Sequence, residues 1–122
     1  MPNSTKFDLE ERLISFSIQI IKLTDILPLT KAGNALGGQI IRSGTSPALN
    51  YGEAQSAESR KDFIHKLKII LKELRETYVC LKIINGSAII QDKILIDNTM
   101  KECNELISIF VKSIATAKKN VE

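Results

Sequence analysis

The chain has 122 residues, of which 43% are apolar and 25% charged, and a formal net charge of +3. That size supports one domain with a real hydrophobic core, and the composition is that of an ordinary soluble globular protein rather than a disordered or disulfide-stapled one. No run approaches the ~20 apolar residues of a membrane helix, and MPNSTKFDLEER lacks the basic and apolar regions of a signal peptide, so a cytoplasmic protein without membrane contact is expected.

The first helix is predicted over residues 7–27, with Asn3, Ser4 and Thr5 offering capping oxygens before it. Leu9, Leu13, Phe16, Ile20, Leu23 and Leu27 recur at alternating spacings of four and three, one continuous helical stripe. Ile14, Ile18 and Ile21 form a second apolar edge, and Pro28 ends the helix because the residue before proline is pushed out of helical geometry. Asn34 is placed to cap a second helix.

Residues 37–54, GGQIIRSGTSPALNYGEA, hold four glycines, a proline and a cluster of hydroxyls between plainly helical segments. A loop of this length is abnormal inside so small a domain, so residues 34–57 read as that second helix, bent near Pro47. The Pro47 ring clashes with the Ser43 carbonyl and supplies no N–H to it, and the hydroxyls of Ser43, Thr45 and Ser46 are at hand for the freed groups. Gly37, Ile41, Gly44 and Ala48 share one stripe, whose small residues allow close approach within the bundle or between subunits.

The third helix is predicted over residues 60–84. Ser59 and Asp62 have capping-box spacing, and Phe63, Leu67, Ile70, Leu74, Tyr78 and Leu81 form its core face. Asn85-Gly86 is the expected stop. The fourth helix is predicted from Asp92 to residue 118, with Ile96, Met100, Cys103, Ile107, Phe110, Ile114 and Ala117 inward and Lys118 and Lys119 at its end, where cations suit the dipole. Four helices joined by short connections make one all-α, antiparallel up-and-down four-helix bundle.

The run QIIRSGTSPALNYGEAQSAESRKDFIHKLKIILKEL resembles the four-helix-bundle family named for proteins encoded in intervening sequences of bacterial 23S ribosomal RNA. Ile41-Arg42, the small-residue run Ser43 to Ser46, Pro47, Asn50, Gly52-Glu53 and Asp62-Phe63-Ile64 carry the likeness, although Ser43 stands where many members have a second base. The resemblance implies a bundle that assembles as a ring-like homopentamer. It brings no established catalytic residues with it. The accessory protein of diversity-generating retroelements is similar in fold and assembly and works with a reverse transcriptase and nucleic acid.

The positive charge is concentrated, since residues 60–82 carry seven bases against three acids. Lys61, His65, Lys68, Lys72, Arg75 and Lys82 share one helical face opposite the core stripe, a basic ridge suited to RNA or DNA phosphates through counterion release. The bland alternative is a solvated bundle face, blunted by Glu73 and Glu76. No aromatics interleave with the bases, so any binding is backbone-driven.

Apolar residues off the main stripes point to a partner subunit: Ile14, Ile18 and Ile21 on the first helix, Ile69, Cys80 and Ile84 on the third, Leu106 and Ile109 on the fourth. Arg60 and His65 match the Arg-x4-6-His spacing of helical HEPN ribonucleases, in which Arg steadies a phosphate and His moves the 2′-hydroxyl proton, but one such pair is usually surface decoration. Cys80 and Cys103 lie in different helices without a second histidine, which argues for no metal site and for two buried thiols. The expectation is a self-assembling scaffold with no cofactor and no catalysis, bound to nucleic acid or, alternatively, to another protein.

Overall fold

The computed structural model describes residues 5–120. It contains α1 (Thr5–Asp25), α2 (Lys31–Ala54), α3 (Arg60–Ser87) and α4 (Lys93–Lys119), and no strand among the described residues. Each helix packs antiparallel on the next. The contact of α2 with α3 is the most extensive, and α1 closes onto α4 only sparsely.

Leu13, Phe16, Ile20 and Leu23 of α1 meet Ile40 of α2, Leu67, Ile70, Leu74 and Leu81 of α3, and Ile96, Cys103 and Phe110 of α4 in one core. At roughly 1.5–3 kcal/mol for each large side chain taken out of water, this aliphatic interior is the main favourable term of the fold. Tyr51 closes it edge-on against Phe110, ring centroids 6.0 Å apart.

The helix starts obey local chemistry. Thr30 caps α2, accepting from the Gly33 N–H at 3.0 Å, so the helix begins three residues before the expected Asn34. A hydroxyl of Thr directly after the Pro28-Leu29 turn satisfies an orphan N–H sooner than Asn34 can. Ser59 caps α3 by accepting from the Asp62 N–H at 3.0 Å, while Asp62 Oδ2 accepts from the Glu58 N–H at 3.3 Å. Asp92 accepts from the Leu95 N–H at 3.0 Å and starts α4.

Two expectations are corrected at helix ends and faces. The α3 helix runs through Asn85-Gly86 to Ser87 and stops where Ala88 takes the left-handed conformation, φ 56°. Gly86 stays helical, and Asn85 uses its side chain to accept from Lys93 Nζ at 2.9 Å. The buried face of α2 is Gly33, Ile40, Ser43, Gly44, Pro47 and Ala54, so Ile41 leaves the stripe assigned to it and stands in solvent.

The α2 helix continues through Pro47, whose ring is buried. Around it the polar side chains serve their own backbone: Thr45 donates to the Ile41 carbonyl at 2.7 Å and Asn50 to the Ser46 carbonyl at 3.0 Å. Gly44 brings α1 and α2 together, because a Cβ there would lie 2.8 Å from Ile20 Cγ1. On the other side of α2, the buried hydroxyls of Ser43 and Thr77 share a hydrogen bond at 2.9 Å, and Thr77 Oγ1 lies 2.8 Å from the Glu73 carbonyl. The close approach is therefore made inside the bundle.

Candidate interaction surfaces

The α3 helix presents Lys61, His65, Lys68, Lys72, Arg75 and Lys82 on its outer face, all exposed. Their 21-residue separation corresponds to roughly 30 Å of helix. Among the described residues none of the six lies within ion-pairing distance of an acid, whereas Lys66, one step round the helix, pairs with Glu53 at 2.9 Å. Lys82 lies over the Tyr78 ring, 5.8 Å from its centroid. Glu73 sits beside the ridge, and burial, then the neighbouring Glu76, pushes its carboxyl above the usual range.

The ridge is not purely polar. A shallow depression of about 710 Å³ runs along it, lined by Leu71, Val79, Cys80 and Ile83 of α3 and by Leu36 and Gln39 of α2, with Lys68, Lys72, Arg75 and the acid Glu76 on its border. Val79 is 55% and Ile83 52% exposed. This apolar half was not visible in the sequence as a surface, because Val79 and Ile83 fall among the same outer positions as the lysines and belong to no stripe of their own.

A second apolar surface lies on α1. Ile14, Ile18 and Ile21, expected as an edge, are 40%, 48% and 43% exposed. Glu10 and Glu11 stand in solvent at one end of this strip and Asp25 at the other. On the opposite flank of α1, Arg12 holds α4 through Glu102 (Nε–Oε2 3.0 Å, Nη2–Oε1 2.7 Å) and Glu105 (3.1 Å). These carboxylates raise the Arg12 pKa still further, the Glu102 hydrogen bond most of all.

Three residues expected at a subunit boundary are elsewhere. Ile84 and Leu106 are 0% exposed and Cys80 is 4% exposed. They fill the bundle core, because the buried arc of these long helices is wider than one four-and-three stripe. Phe63, Tyr78, Met100 and Ile107, read as central, sit instead at its margin. Ile69 and Ile109 are half-buried.

The Arg60 guanidinium packs over the Phe63 ring at 5.4 Å, and His65 points outward from the ridge. Both cysteines are buried thiols. Burial lifts the Cys80 thiol, and burial together with the charge of Glu102 pushes Cys103 up to about 12. Among the described residues no group of three or more His, Cys, Asp or Glu is arranged to hold a metal, and no helix is long and apolar enough to cross a membrane.

No curated protein sequence matches the chain. Among solved structures it is similar to a protein of unknown function from the S23 ribosomal protein family of Bacteroides thetaiotaomicron, with 30% identity, a TM-score of 0.80, and coverage of 87% of this chain and 97% of that one. The family model described as 23S rRNA-intervening sequence protein matches residues 5–112, nearly the whole bundle, and the chain belongs to that family.

Proposed function

We propose that this protein is a non-enzymatic cytoplasmic scaffold that associates with copies of itself and holds nucleic acid backbone along α3. The observation that carries the reading is the row Lys61, His65, Lys68, Lys72, Arg75 and Lys82, exposed and without ion-pair partners among the described residues. A cation already neutralised by a neighbour releases few counterions on binding, and these five Lys and Arg side chains are not neutralised in that way. The ring of five implied by the family resemblance would repeat the part of the ridge left outside the subunit contact around an axis and multiply its field.

The test is fluorescence polarisation with a labelled single-stranded RNA and a duplex DNA across a salt series. Binding is expected to weaken steeply with salt, log K falling with a slope of about −0.7 to −0.9 per phosphate neutralised. Lys61→Glu with Lys68→Glu is expected to weaken binding for all sequences alike and to flatten that slope. Absence of binding at low salt refutes the reading.

One observation favours a second reading, a scaffold for another protein. The border of the ridge encloses apolar Val79, Ile83 and Leu71, which a phosphate backbone does not cover but an acidic amphipathic helix does.

A further inference from the structure

We infer that a second copy of this chain lays its α1 strip along the α3 depression, parallel to α3, in an unlike-to-unlike contact that closes into a ring. The inference rests on the self-association proposed above and assigns the two surfaces that make it.

Charge selects the pairing. The strip Ile14, Ile18, Ile21 is bounded by the acids Glu10, Glu11 and Asp25 and one base, Lys22, a balance of −2, while the depression around Val79 and Ile83 is bordered by the bases Lys68, Lys72 and Arg75 and one acid, Glu76, a balance of +2. Strip on strip sets acids against acids, and depression on depression sets lysines against lysines. Only strip on depression puts Glu beside Lys and isoleucine beside valine. The lengths agree as well, since residues 11–21 and 72–83 each span about 16 Å of helix.

Height along the bundle decides how the contact propagates. Ser17 Oγ lies 3.5 Å from the Gly44 carbonyl, and the adjacent Ser43 hydrogen-bonds Thr77, so Ser17 and Thr77 stand at one level. By the other route, Arg12 meets Glu102, and the neighbouring Cys103 Sγ lies 3.3 Å from the Leu74 carbonyl, so Arg12 is level with Leu74. Both routes place Glu11 level with Lys72, Ile18 with Val79 and Ile21 with Ile83, to within about two residues, or ~3 Å.

In an up-and-down bundle α1 and α3 also run the same way. A rotation about an axis parallel to the helices, with almost no shift along it, therefore brings Ile18 of one copy against Val79 of the next and Glu11 against Lys72. Such an operation closes into a ring, whereas one with a substantial shift gives a filament and a like-with-like contact stops at a dimer. The contact covers Lys72 and Arg75 and leaves Lys61, His65 and the outer side of Lys68 open to an anion.

The experiment uses Ile18→Glu and Val79→Glu, both at exposed positions, with circular dichroism to check folding and light scattering to read mass. The native chain is expected at a multiple of its 13.6 kDa above two. Each variant alone is expected as a monomer. Their equimolar mixture is expected as a dimer, because the Val79→Glu copy keeps an intact strip and the Ile18→Glu copy an intact depression. A monomeric native chain overturns self-association and this inference together. A native assembly that either variant leaves intact overturns the assignment of surfaces and spares self-association. Two monomeric variants that stay monomeric when mixed, at a concentration where the native chain is assembled, overturn the unlike pairing.

Discussion

Replacing Gly44 by alanine should destabilise the bundle although alanine is the better helix former. A Cβ at this position would lie 2.8, 3.0 and 3.2 Å from Cγ1, Cγ2 and Cδ1 of Ile20, which is 0% exposed. Isoleucine is β-branched and holds essentially one rotamer in a helix, so its three atoms cannot swing aside together. Either α1 moves off α2 or Ile20 leaves its rotamer, and overpacking of this kind costs about 1–3 kcal/mol. The helix-propensity gain of ~1 kcal/mol offsets part of this, leaving a net loss of about 1 kcal/mol. Gly38→Ala is the control, since nothing lies within 4 Å of its Cβ position and the substitution should stabilise by ~0.5–1 kcal/mol. At ~4 °C per kcal/mol for a domain of this size, the two alanine variants should melt about 6–8 °C apart. Thermal unfolding monitored by circular dichroism measures this, at one fixed protein concentration because assembly itself raises the midpoint. Equal stabilisation by both alanines would refute the close approach of α1 and α2 at Gly44.

Thr77→Val should cost about 1–2 kcal/mol in denaturant unfolding, because it leaves the buried Ser43 hydroxyl without its partner at 2.9 Å. Adding Ser43→Ala should cost less than the sum of the single changes, and strict additivity would show the pair is not coupled. Arg12→Met should cost only about 0.5–1 kcal/mol, since the ion pair with Glu102 is part-exposed, and the difference from the native chain should shrink in high salt. The Cys103 thiol, held protonated by burial up to about 12, should resist alkylation at pH 8 in the folded chain and react on unfolding. Its folded pKa lies above the unfolded value of about 8.5, so its contribution to stability is full below that pH and is lost as pH rises toward 12. A stability that stays flat across this range in the native chain, with no gain in slope over Cys103→Ala, would contradict the buried, protonated thiol.

The fold was legible because its strongest signals are periodic. Leu13, Phe16, Ile20 and Leu23 are buried as their spacing requires, and Asp92 and Ser59 cap the helices they precede. What spacing did not resolve is where a stripe ends. A stripe names the centre of a buried arc, but packing between antiparallel neighbours widens the arc, so Ile84, Leu106 and Thr99 are as deeply buried as the central leucines. The ridge was legible as charge. Its apolar half was not, because an exposed Val79 and a buried Cys80 look alike until α2 is set beside them.

The segment of α2 that carries the family likeness sets how closely α1 packs and in what rotation. Its small residues let α1 settle close at Gly44, where Ser17 Oγ lies 3.5 Å from the Gly44 carbonyl. With α1 drawn in by Gly44 on one flank and clasped by Arg12 to Glu102 on the other, Ile14, Ile18 and Ile21 are fixed in rotation and left facing outward. A Cβ at position 44 would push α1 away, since it would lie 2.8 Å from Ile20 Cγ1. Gly44 of α2 is thus the seam that sets both how closely α1 packs and which of its residues face inward.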